Sequence, residues 1–239
     1  MDEPAAGGAT ARPRAQGALA RLHARHVTWV RIGGMSGLLV LLAFGMFIAP
    51  AVLGDGEKLS LVDDVLLTLI LFSGVVAVVE HRRSATGLAA LSLVVIAARW
   101  AEWVLPAHVL PALRDASTLA ALFLLAAAVS INVFASARAL ADRIFGAIVL
   151  YLLLGLIWAV AYATLASLVA GAFTGPALAP KGLFDWGYFS LVTLTTVGYG
   201  DITPVHRIAR SLAMMEALVG QLYPAIIIAR LVSLPGKAF

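Results

Sequence analysis

Seven consecutive residues, Thr195-Thr196-Val197-Gly198-Tyr199-Gly200-Asp201, concentrate the chemistry of this chain. Gly198 and Gly200 alternate with larger residues, and glycine adopts backbone dihedrals that a residue with a Cβ resists. An extended strand of that composition can turn its successive carbonyls to one side. Four such strands around an axis stack rings of oxygen, and such rings can replace the hydration shell of a potassium ion. Close stacking of several sites lets the ions leave by mutual repulsion. The carbonyls of Thr196, Val197, Gly198 and Tyr199 would be the ligands, with the Thr196 hydroxyl at the inner end and Gly200 completing the run. Tyr199 would brace the strand from behind. The competing reading is a glycine-rich turn between two helices.

The context decides between the two. A helix candidate, Trp186 to Thr195, precedes the strand, the turn Asp201-Ile202-Thr203-Pro204 follows it, and a long apolar segment comes next. Irregular backbone at membrane depth is tolerated only where it is buried in protein or lines a water-filled path, which favours the ion site. The apolar-aromatic segment Phe184 to Leu194 is too short to cross the ~30 Å hydrocarbon layer, so it dips in and returns, or lies at the interface. Its C-terminal end, near Thr195, directs the partial negative charge of a helix dipole toward a central cavity, where a cation is favoured. Asp185 either caps the N-terminus of this helix or is merely interfacial.

Of the 239 residues 62% are hydrophobic and 13% charged, more apolar surface than one soluble core could bury. A spanning helix needs ~20 apolar residues, and spans are expected near 29–53, 60–80, 86–105, 116–136, 144–170 and 205–233. If these six alternate, Arg12, Arg14, Arg21, Arg25, Arg31, Arg82, Arg83, Arg138, Arg143, Arg230 and Lys237 share one side, which is therefore cytoplasmic. Both termini then lie inside, and the dipping segment enters from outside. Topology accounts for the net charge of +4 without a nucleic-acid partner. The chain has no cysteine, which removes disulfide and thiolate chemistry. It also has no nucleophile-base or metal-ligand cluster of the kind an enzyme needs.

From about Tyr151 to Ser233 the sequence resembles the pore domain of the potassium channel family, and the six-span layout looks like its voltage-gated-type members. The potassium assignment is a match to that family's TVGYG pattern. The resemblance implies that Asp201 closes the outer end of the filter and bonds an aromatic residue of the pore helix, here Tyr188. Val192 stands where some bacterial relatives carry a glutamate paired with that aspartate. Gly220 sits at the spacing of the family's hinge glycine, with Pro224 one turn later removing a backbone hydrogen bond; alternatively Gly220 only lets helices pack closely. Counting turns from Gly220 puts Gln221, Pro224 or Ala225, Ile228 and Val232 on one face, the expected pore lining.

The four preceding spans depart from the resemblance. A voltage sensor needs several arginines on its fourth span, because each charge moved through 100 mV gains only ~2.3 kcal/mol. Ser117 to Ser136 contains none, so arginine-driven voltage gating is not expected. Arg99 and Glu102 form an i, i+3 pair and, with Asp63 and Asp64, read either as a network tying spans two and three together or as a gating element. Glu216, deep in the sixth span, is either a buried acid hydrogen-bonded behind the pore helix or a pore-facing charge. His206, just outside the filter, is a candidate pH sensor or a passive interfacial residue. After Val232 only SLPGKAF remains, so no C-terminal regulatory domain is expected.

The expected architecture is an all-α membrane protein: a cytoplasmic basic arm (1–27), a four-helix peripheral membrane domain (28–140) and a pore domain (141–239) with outer helix, pore helix, filter and inner helix. One strand cannot surround an ion, so four identical subunits in a closed ring are required. The expected function is passive K+ flux, with K+ as permeant ion, no cofactor and the lipid bilayer as solvent. An accessory or non-conducting subunit is one alternative. A cation transporter component is another, although a single pore segment argues against it.

Overall fold

In hydrocarbon a backbone must satisfy its own N–H and C=O groups, and a helix does so within one segment; the long apolar runs of this chain become helices. The computed structural model describes residues 35–53, 57–78, 82–101, 111–134, 140–175 and 183–232. The basic arm, Arg31, Glu102, Arg138, Lys237 and the C-terminal SLPGKAF lie outside the described residues. Helix α1 covers 35–53 and contains one π-helical turn, Phe44–Ile48. The wider turn precedes Pro50, whose ring would press on the carbonyl four residues back in a regular helix. Then follow α2 (Glu57–Val78), α3 (Arg82–Ala101), α4 (Pro111–Phe134) and α5 (Leu140–Leu168). A two-residue ribbon of β1 (Phe173–Thr174) and β2 (Thr203–Pro204) flanks α6 (Leu183–Leu194), and α7 is Arg207–Val232. The strands are antiparallel, with Phe173 opposite Pro204 and Thr174 opposite Thr203.

Four of the described helices are long and apolar enough to cross a membrane, over Met35–Val52, Arg114–Ile131, Arg143–Leu168 and Arg207–Arg230. The apolar stretch of α3, Thr86–Ala101, is shorter, and α2, although 22 residues long, carries the buried Asp63 and Asp64. With 12 residues, α6 is only ~18 Å long. Phe47, Phe72, Leu93, Phe123 and Phe145, from five different helices, are exposed. Such a surface suits hydrocarbon and not water, and the chain is a membrane protein.

The helices pack in sequence: α2 on α3, α3 on α4, α4 on α5, and α5 on both α6 and α7. Leu42 of α1, Leu67 of α2, Leu125 of α4 and Leu153 of α5 share one fully buried core. A second core is aromatic, with Tyr162 packed edge-on to Phe189 at 4.8 Å and Phe173 against Trp186 at 4.9 Å between ring centroids. Lipid is as apolar as leucine, so helices associate through close packing and interhelical hydrogen bonds more than through exclusion from solvent. Both devices are present. A Cβ on Gly74 of α2 would stand 2.5 Å from Leu125 Cδ1, and a Cβ on Gly220 of α7 would stand 1.8 Å from the carbonyl oxygen of Leu194. The α4 segment after Asp115 holds no basic residue, and Asp115 accepts a hydrogen bond from Thr164 of α5 at 3.3 Å.

The Gly220 contact involves the backbone of α6 and so cannot be relieved by a rotamer change. Gly220→Val should destabilise the folded chain by about 1–3 kcal/mol through overpacking, read as a lower thermal midpoint in detergent than that of Gly87→Val, where an added Cβ meets nothing within 4 Å.

Candidate functional site

The site is built on α6 and the strand that leaves it. The helix begins at Leu183, two residues ahead of Asp185, which lies inside the first turn. Its N-terminal donor is capped from another helix: Leu183 N–H donates to Asp63 Oδ2 of α2 at 2.7 Å. The expected cap, Asp185, is therefore displaced into the helix, where its charge still complements the dipole. At the other end the chain folds back on its own helix. Thr195 N–H donates to Leu191 O and Thr196 N–H to Thr193 O, both at 2.9 Å, and the N–H groups of Val197 and Gly198 donate to Val192 O at 2.9 and 3.3 Å. The Thr195 hydroxyl donates to Leu191 O at 2.6 Å.

Beyond Thr195 the backbone alternates in hand. Thr196, Gly198 and Gly200 have φ of 60, 58 and 81°, and among the described residues Thr196 is the one non-glycine with positive φ. In an ordinary strand successive carbonyls point to opposite sides. Reversing the hand at every second residue removes that flip, so the carbonyls line one side of the strand. The left-handed region costs a residue with a Cβ ~1–2 kcal/mol, so Thr196 is held there by its surroundings. Residues 195–200 are all exposed on the single subunit, and Tyr199, expected to brace the strand, is 72% exposed.

Asp201 closes the strand. Tyr188 O–H donates to Asp201 Oδ2 at 2.6 Å, and Ile202 N–H donates to Oδ1 at 3.1 Å. Chiefly through that hydrogen bond, the Tyr188 phenol is pushed up from 10.0 to about 12. The phenol thus remains the donor at neutral pH, and the bond's contribution is lost only as pH rises through that value. His206 stands at the start of α7, where its Nδ1 accepts from Ile208 N–H at 3.3 Å.

On α7 the expected pore-lining residues separate into two groups. Gln221, Pro224, Ala225 and Ile228 are exposed, while the Val232 side chain lies outside the described set. Gln221 Nε2 donates to Thr196 Oγ1 at 2.8 Å. Gly220 and Glu216 are buried. Glu216 is fully buried, with Tyr162 O–H donating to Oε2 and the Ser190 hydroxyl to Oε1, both at 2.5 Å. Ser190 Oγ also lies 2.8 Å from Gly155 O. Of the two roles open to Glu216 in sequence, the geometry has the buried, hydrogen-bonded acid, held between α5 and α6. Tyr223 O–H donates to Ala147 O of α5 at 2.7 Å.

Arg99 of α3 pairs with Asp64 of α2, a tie between the second and third helices as the network reading expects; Glu102 lies outside the described residues. Three linkages are not deduced from sequence: Asp63 as the α6 cap, Ser190 and Tyr162 as partners of Glu216, and Gln221 as partner of Thr196. The signal for the second was present, since a serine within an apolar helix needs an acceptor and Glu216 needs donors.

Removing the acid should cost more than removing its charge. Glu216→Leu leaves the buried Tyr162 hydroxyl without its acceptor, costing about 1–3 kcal/mol, while the Ser190 hydroxyl can still donate to Gly155 O. Glu216→Gln keeps one carbonyl oxygen and should lose clearly less, in thermal unfolding of the detergent-solubilised protein.

Residues 147–236 match a family model described as an ion channel. That family is a class of transport proteins and not of enzymes. Two curated proteins share a shorter stretch: Protein LctB of Bacillus caldotenax, 50% identical over 50 residues, and Protein LctB of Geobacillus stearothermophilus, 52% identical over 50 residues. Each match covers 21% of this chain, and the chain spans 37% of the length of each relative. The part of the chain that holds most of α5, all of α6, the TVGYG strand and α7 is thus similar to an ion channel family.

Proposed function

We propose that the chain is one subunit of a homotetrameric, potassium-selective channel of the cell membrane, conducting K+ passively through a filter of four TVGYG strands. The observation that carries the reading is the alternating hand of φ at Thr196, Gly198 and Gly200, which gives each strand a row of carbonyls on one side. One row is a quarter of a coordination shell; four rows around an axis make the rings that substitute for water around a dehydrated ion. The exposure of residues 195–200 on a single subunit fits a surface that meets the axis and the neighbouring strands.

The surrounding parts follow from this. In this reading the chain crosses the membrane six times with both termini cytoplasmic, residues 28–140 form the peripheral domain and residues 141–239 the pore. The C-terminus of α6 aims its dipole at the cavity below the filter, where it favours a hydrated cation. Gln221, Pro224, Ala225 and Ile228 face that cavity, and Val232 continues the same helical face. The partners are K+, lipid and three identical subunits, with no cofactor and no nucleic acid. With no basic residue on α4 after Asp115, opening does not depend on an arginine voltage sensor.

In liposomes holding the purified protein alone, bi-ionic K+/Na+ reversal potentials should show strong preference for K+. Tyr199→Ala should abolish the preference while flux persists. Equal permeability of the wild-type protein to the two ions would refute potassium selectivity, and absence of flux from the protein alone would favour an accessory role. Currents stepped between −100 and +100 mV, a range of about 5 kcal/mol per charge moved across the whole field, should change little in open probability.

A further inference from the structure

Thr196 is in a conformation its side chain does not favour, and two tethers hold it there. One is its N–H, bonded to Thr193 O at 2.9 Å. The other is its hydroxyl, which accepts from Gln221 Nε2 at 2.8 Å. Backbone outliers of this kind persist only where the surroundings over-determine them. The second tether depends on the helix contact next to it. Gly220, the residue before Gln221, lets α7 approach so closely that a Cβ would overlap the Leu194 carbonyl, and this approach brings the amide of Gln221 within reach of the strand.

A hydroxyl has one hydrogen and two acceptor lone pairs. When an amide N–H occupies one lone pair, the hydroxyl hydrogen is excluded from that direction. The second lone pair is then confined to the two remaining positions, and a cation beside the oxygen selects the one that faces it. We propose that Gln221 is a positioning residue for the innermost cation site: its amide orients the Thr196 hydroxyl so that the free lone pair faces the permeating ion. The inference rests on the potassium channel reading above. Gln221 does not itself touch the ion in this arrangement; it acts through Thr196. In a four-fold assembly the effect is repeated at each hydroxyl of the ring, so the site's discrimination between ions of similar radius depends on an amide outside the TVGYG sequence. Leucine at 221 has similar bulk and no donor, and ionised glutamate has acceptors only.

The probe is Rb+ against K+, measured as the ratio of single-channel conductances of the full-length protein in planar bilayers. Gln221→Leu should change the ratio by about fivefold, the factor that corresponds to one ordinary hydrogen bond. Thr196→Ala should change it as well, and the double variant Gln221→Leu/Thr196→Ala should match Thr196→Ala alone, because the amide then has nothing to orient. A conducting Gln221→Leu protein with the wild-type ratio, or additive effects in the double variant, overturns the inference and leaves the channel reading standing. A wild-type protein that passes no K+ overturns the channel reading and this inference with it. If a variant assembles but does not conduct, the K+ concentration that half-saturates its thermal stabilisation in detergent replaces the ratio. Gln221→Leu should need about fivefold more K+, Na+ serving as control, and an unchanged requirement overturns the inference.

Discussion

Backbone polar groups at membrane depth have no water to bond, and residues 183–202 are where this chain meets that constraint most severely. A 12-residue helix exposes unpaired donors at one end and unpaired carbonyls at the other, and in the re-entrant arrangement proposed above neither end reaches bulk solvent. The structure answers with side chains and with the strand itself. Asp63 takes a donor at the start. Leu191, Val192 and Thr193 carbonyls at the end receive the N–H groups of residues 195–198. The strand is thus held by the helix it leaves.

Behind the helix the same constraint is met by an acid. Glu216 joins α7 to α6 through Ser190 and to α5 through Tyr162, and the Tyr162 ring belongs to the aromatic core with Phe173, Trp186 and Phe189. Hydrogen bonding and ring packing therefore converge on one junction of three helices. Tyr223 and Tyr151, with ring centroids 5.5 Å apart, continue that junction along α5 and α7. In front of the helix the polar contact is Tyr188 to Asp201, so the strand is tied at its outer end by a side chain and at its inner end by Gln221.

Much of this was legible in the sequence, and the rest was hidden for physical reasons. Apolar runs locate the helices because lipid leaves a backbone few alternatives, and TVGYG locates the strand because alternate glycines at 198 and 200 permit the reversed hand. The third reversed residue, Thr196, carries no such mark, since its conformation is imposed by contacts and not by its own preference. The Tyr188 to Asp201 bond follows from family resemblance, whereas the Asp63 to Leu183 bond joins residues 120 positions apart, a distance that no local pattern spans. Asp185 looked like the cap because it is acidic and adjacent; the helix simply starts two residues earlier. The Arg99 to Asp64 pair is of the kind expected of a network tying spans two and three together, but which of the two adjacent acids meets the guanidinium is set by the packing of α3 on α2.

The Asp63 cap bears on how freely this architecture can be taken apart. Because the first N–H of α6 is satisfied from α2, the proposed pore domain is not self-contained: a chain trimmed to residues 141–239 would begin α6 with an orphan donor. Grafting the last three helices onto another membrane scaffold would require a new acceptor at that point. The preceding helices thus have a role that involves no movement, that of completing α6.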